Sequence, residues 1–113
     1  MSDSSQDSVV AVITTVPDPE VAESIARAVV EERLAACANL LGNVVSIFRW
    51  ESRMEREVEV LVIMKTTRQG IDNLRQRIVD LHPYDVPELI ALPVQEGYEP
   101  YLQWVRSEVG SVP

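Results

Sequence analysis

The sequence predicts an α+β protein: a ferredoxin-like βαββαβ sandwich followed by one extra C-terminal helix. Two observations carry this. Short β-branched apolar runs alternate with stretches of helical periodicity in the order strand, helix, strand, strand, helix, strand, helix. The 113 residues also suit a single domain, with no repeat or linker to mark a second.

Residues 1–8, Met-Ser-Asp-Ser-Ser-Gln-Asp-Ser, have nothing to bury and read as a disordered tail, which leaves 9–113 as the one domain. Val9 to Val16 is a buried strand bounded by Pro17. Asp18 stands at a helix N-cap, with Pro19 at the first helical position and Glu20 in the first turn. Val21, Ile25 and Val29 recur at four-residue spacing, so the helix is expected to run to Arg33 or Leu34.

Cys37 to Leu41 opens a second strand, interrupted by Gly42-Asn43 and continued from Val44 to Trp50. A turn over Glu51 to Met54 leads into a third strand from about Glu55 to Thr67. Ile71, Leu74, Ile78 and Leu81 mark a second helix, which stops near His82 because Pro83 disfavours helix at the residue before it. Leu89 to Val94 is a fourth strand, and Pro93 places it at an edge or a bulge. A last helix starts near Pro100 and carries Tyr101, Leu102, Trp104 and Val105.

The strands hold a further prediction. Leu61 and Ile63 oppose Val60 and Val62, and Leu89 and Ala91 oppose Ile90 and Leu92, so the sheet is apolar on both faces. Crossover helices in this fold cover one face only. The other would leave roughly several hundred Å2 of apolar surface in water, which marks an interface. The last helix could fold back over that face, but one short helix is too small for four strands, so self-association is expected.

Composition narrows the function. Eighteen acidic against ten basic side chains give a net charge of −8, which opposes nucleic acid and anionic membrane surfaces. No apolar run reaches the ~18 residues of a membrane span, and the start lacks a signal-peptide pattern. A lone cysteine, Cys37, has no internal disulfide partner, and a cytoplasmic location is expected.

Catalysis finds no support. The chain has a single histidine, His82, no phosphate-binding glycine loop and no nucleophile motif. No closed metal site is visible either: Cys37, His82, Met54 and Met64 are the soft or imidazole candidates, and none are neighbours. Cys37 follows Ala35-Ala36 and is expected to be a buried structural residue.

Two stretches exceed what a core requires. Arg49-Trp50-Glu51 falls at a hairpin tip, where it suits either an intersubunit contact or a locally stabilised turn. His82-Pro83-Tyr84-Asp85-Val86-Pro87-Glu88 is a loop stiffened by two prolines that offers three polar groups, like a pocket wall. Lys65 is expected to pair with a carboxylate such as Glu88 or to bind an anion.

Ala36-Cys37-Ala38-Asn39, Arg49-Trp50-Glu51, Lys65-Thr66, the His82-to-Glu88 loop and Tyr101-Leu102-x-Trp104 follow one another in the order and spacing of the CutA family, which the chain resembles from Val9 to Val109. The resemblance implies a tight homotrimer, similar in architecture to the PII signalling proteins, linked in bacteria to tolerance of copper and other divalent metals. It implies a ligand pocket between subunits at Cys37, Trp50, Lys65, His82, Tyr84, Glu88 and Trp104, with no cofactor required and Cu2+ or another divalent cation as the ligand to expect. Three positions depart from the pattern. Thr14 and Leu81 stand where some copper-linked members carry cysteine and a second histidine, and Ser52 replaces a usual turn glycine.

Three functions compete at this stage. One is a trimer that binds divalent metal weakly through His82 and nearby carboxylates. Another is a PII-like sensor holding a small metabolite or anion between subunits through Lys65, Tyr84 and Trp104. The last is a purely structural trimer.

Overall fold

Eight extended residues, Val9–Val16, form strand β1 at the centre of the domain. In order follow helix α1 (Pro19–Glu31), strands β2 (Cys37–Trp50) and β3 (Arg53–Thr67), helix α2 (Ile71–Leu81) after a short 3-10 turn, strand β4 (Ile90–Pro93) and helix α3 (Glu99–Glu108). This is a computed structural model, and it describes residues 5–110. The strands make one antiparallel sheet in the order β2-β3-β1-β4.

Local chemistry sets the element ends. Asp18 is extended, and its carboxylate accepts from the Val21 amide at 2.9 Å, which caps α1. The helix stops at Glu31, short of the expected Arg33 or Leu34, because Arg33 turns left-handed at φ 61°. Arg33 and Leu34 then donate their amides to Val30 and Val29, the paired closure of a Schellman motif. Pro83 ends α2 as expected, holding His82 extended.

The interruption at Gly42-Asn43 is a bulge within one continuous strand, with the register shifting between Leu41 and Val44. The hairpin turn is tighter than expected. Trp50 pairs directly with Arg53, and Glu51 and Ser52 alone make the turn at φ 51° and 67°, so β3 begins two residues early. β4 is shorter than Leu89 to Val94 and lies at a sheet edge, where Pro93 costs no internal ladder bond.

The expected tail needs correction over 5–8. The Arg68 and Gln69 amides donate to the carbonyls of Ser8 and Gln6, and Arg106 Nε donates to that of Asp7, so this segment is tied to the domain. Residues 1–4 of that expectation, like 111–113 of the domain, lie outside the described residues.

Both crossover helices cover one face. Ala22, Ile25 and Val29 of α1 and Leu74 and Ile78 of α2 pack on Val10, Val12, Val16, Val60, Val62 and Met64. On the opposite face α3 covers one corner only, where Val105 meets Val9 and Ala36. The rest of that face stays open: Ile90 and Leu92 are 47% and 48% exposed, and Leu41 is more than half exposed. Beyond the bulge the hairpin is bare on both sides, with Ile47, Met54 and Val58 exposed on one and Phe48 and Trp50 on the other. It stretches the chain to 43 Å, and the radius of gyration, 14.6 Å, exceeds the roughly 13 Å usual for this length.

Candidate functional site

A cleft of about 900 Å3 lies where the end of β1, the upper hairpin and the 83–88 loop meet. Phe48 and Trp50 give it an apolar wall, while Thr15, Glu59, Tyr84 and Glu88 supply polar groups. Glu57 and Asp85 line it too, and among the described residues no lysine, arginine or histidine does. The cleft is electronegative.

His82 builds this wall from behind. It is 7% exposed, and its Nε2 lies 2.7 Å from the Thr15 carbonyl oxygen. Its Nδ1 lies 3.1 Å from the Tyr84 amide nitrogen. A carbonyl only accepts and an amide only donates, so Nε2 carries the hydrogen and Nδ1 offers its lone pair. One neutral tautomer thereby bridges β1 to the loop. The rings of His82 and Tyr84 also pack 4.7 Å apart.

Tyr84 extends the network. Its hydroxyl donates to Glu59 Oε2 at 2.7 Å. Burial, reinforced by that bond and the Glu59 charge, pushes its ionisation well above the usual phenol range. Glu59 itself is 5% exposed, yet the neutral phenol is its hydrogen-bond partner and among the described residues no cation pairs with it. Glu88 closes the far end of the loop: Thr14 Oγ1 donates to its carbonyl at 2.7 Å, and Thr15 Oγ1 reaches its Oε1 at 3.4 Å.

A second cluster occupies the other end of the open face. Lys65 Nζ donates to Asn39 Oδ1 at 2.7 Å and to Cys37 Sγ at 3.9 Å. Cys37 Sγ and Tyr101 Oη are 3.5 Å apart, and the Tyr101 ring lies 5.7 Å from Trp104. The bond to Cys37, aided by burial, has Tyr101 pushed up to about 12.

The seven residues singled out in the sequence thus fall into two groups. Trp50, Tyr84 and Glu88 line the cleft with His82 behind them, while Cys37, Lys65 and Trp104 lie at the opposite end. Glu59 and Lys65 are six residues apart on β3, about 20 Å at the usual strand rise. Three expectations change. Lys65 pairs with Asn39 and Cys37 instead of Glu88, Cys37 is half-buried rather than core, and His82 has no nitrogen free for a metal. Among the described residues no three of His, Cys, Asp and Glu gather to hold a metal ion. Sequence reading missed Glu59; its one signal is an acidic residue abutting the apolar run from Val60.

An antiparallel ferredoxin-like sheet, helices on one face and an open apolar surface on the other, defines the class: an α+β domain with its polar clusters at the two ends of the uncovered face. The chain belongs to the CutA1 divalent ion tolerance protein family, whose model matches residues 10–108. It is 48% identical over 99 residues to the divalent-cation tolerance protein CutA of Thermus thermophilus, covering 88% of this chain and 96% of that protein. It is 49% identical over 105 residues to human protein CutA, covering 93% of this chain and 59% of the longer human protein. The solved Thermus thermophilus structure superposes with a TM-score of 0.89 at 46% identity, covering 90% of this chain and 99% of that one.

Relatives carry the names chloroplastic in Arabidopsis thaliana and periplasmic in Archaeoglobus fulgidus, so membership does not carry the expected cytoplasmic location. Among the described residues no helix is long and apolar enough to cross a membrane.

Proposed function

We propose that the protein acts as a homotrimer in tolerance of divalent metal ions, copper among them, and binds such cations weakly in the acidic cleft once subunits assemble. The observation that carries this reading is Glu59. A carboxylate 5% exposed with one neutral partner is an unfavourable place for a negative charge unless a cation joins it. Glu57 and Glu88 line the same cleft and supply further oxygen ligands of the kind hard divalent ions take. Among the described residues of one chain no closed ligand set forms, and on this reading a neighbouring subunit completes the site.

Assembly is supported by the open face. In a cyclic trimer each subunit presents unlike patches to its two neighbours. No catalytic role is proposed, and the one imidazole is committed to backbone partners.

Calorimetry with Cu2+ and with Zn2+ on wild type, Glu59→Gln and His82→Ala tests the cation site. The reading expects binding heat in wild type and its loss in Glu59→Gln. Equal heats in those two proteins would contradict it.

A second reading is a sensor that holds a small metabolite or anion between subunits. Lys65 favours it, because among the described residues no carboxylate pairs with this lysine, whose partners are Asn39 and Cys37. Quenching of Trp50 or Trp104 fluorescence across nucleotides and organic acids checks it, and Lys65→Met would abolish the response.

A further inference from the structure

We propose that His82 is a proton-operated latch on the wall of the cleft, setting the position of Tyr84 through its tautomer. The backbone of the loop from Pro83 to Glu88 is pinned at two points, and side-chain bonds from Tyr84 to Glu59 and from Thr15 to Glu88 add to them. Near its start the Tyr84 amide donates to His82 Nδ1, and at its end the Glu88 carbonyl accepts from Thr14 Oγ1. The first pin exists only while the ring is neutral. A proton on Nδ1 turns the acceptor into a donor that faces another donor, the Tyr84 N–H. The Nε2–H bond to Thr15 survives that change, because both forms carry hydrogen there.

Proton uptake therefore keeps His82 anchored on β1 and releases the loop from it at Tyr84. The Tyr84 hydroxyl then loses its fixed approach to Glu59, and the buried carboxylate is uncovered for a cation. Imidazole is the side chain suited to such a change between about pH 5 and 8.

The charged groups named around Tyr84 and its loop are acidic. Glu59 and Glu57 act from β3 through Tyr84, and Asp18 acts on the same phenol from the start of α1. Asp85 and Glu88 lie on the loop, and Glu20 lines a groove with Leu81 and Pro83, the two neighbours of His82.

This role in regulation rests on the cleft being the ligand site, whereas the test below uses no ligand, so the two can fail separately. Nitrogen-resolved spectra of the labelled, assembled protein are recorded from pH 8 to pH 5. The expected result is an Nε2–H tautomer at pH 8, then a single step in which the ring takes up a proton and the Tyr84 amide resonance moves with it. His82→Asn offers a non-titrating oxygen to the Tyr84 amide and should hold the loop at both ends of the range, erasing the Tyr84 step. His82→Gln lacks that nearby acceptor and should show Tyr84 released at all pH values. An Nδ1–H tautomer at pH 8, a Tyr84 amide unmoved while the ring protonates, or no ring protonation by pH 5 would overturn the latch. The wild-type spectra decide these outcomes even where a variant does not fold.

Discussion

The Tyr84 hydroxyl donates to Glu59 Oε2 at 2.7 Å across a separation of 25 residues, joining the proline-stiffened loop to the third strand beneath it. That bond shapes the cleft. It also leaves a buried carboxylate answered by a neutral phenol alone, the arrangement from which the cation reading follows.

Removing the phenol oxygen should expose the cost of that charge. Tyr84→Phe is expected to lose about 1–3 kcal/mol of stability, the usual penalty for a buried acceptor stripped of its donor. Glu59→Gln keeps a carbonyl for Tyr84 and should lose less. Urea unfolding of both at fixed protomer concentration checks the order, since assembly links stability to concentration.

The hairpin turn carries strain that can be relieved. Ser52 sits at φ 67° without being glycine. Ser52→Gly should stabilise by about 1 kcal/mol, the scale of the left-handed penalty. A raised urea midpoint at unchanged slope is the expected reading, and a lowered midpoint would show the turn unstrained.

Two tyrosines set an alkaline limit. Burial raises Tyr84, and the bond to Cys37 first, then burial, raises Tyr101 to about 12. Both folded values exceed the ~10 of an unfolded tyrosine. Their contribution is therefore whole below about pH 10 and fades as pH rises toward 12. Unfolding midpoints should stay flat to pH 9 and fall beyond pH 10, with a shallower fall in Tyr84→Phe.

The open face predicts its own disruption. Leu92 is 48% exposed on one chain and lies beside Ala11 of β1. Leu92→Glu should dissociate the assembly while preserving the helical signal of each subunit, because the core under α1 and α2 lies on the opposite face. An unchanged particle mass would place the interface elsewhere.

Much of this architecture was legible in the residues themselves. Four-residue spacing at Val21, Ile25 and Val29, and the Asp18-Pro19 start, define α1 because burial and capping are local. Pro83 places the end of α2 for the same reason. The two-sided apolar strands likewise foretold the uncovered face. Other features were hidden because they depend on contacts distant in sequence. Glu59 meets Tyr84, and His82 meets the Thr15 carbonyl 67 positions away, only after the sheet forms. A sequence shows that His82 is a histidine; it does not show that both ring nitrogens are spent on the backbone. The tight turn escaped notice because Glu51 and Ser52 adopt left-handed angles without the glycine or asparagine that signals them.

Light scattering on the purified protein in dilute buffer tests the central claim most directly, that an exposed oily sheet face makes the isolated subunit incomplete. The predicted particle mass is three times the 12.7 kDa of one chain, unchanged on dilution to micromolar concentration. A folded particle of 12.7 kDa under those conditions would contradict it, and the shared cation site would lose its basis.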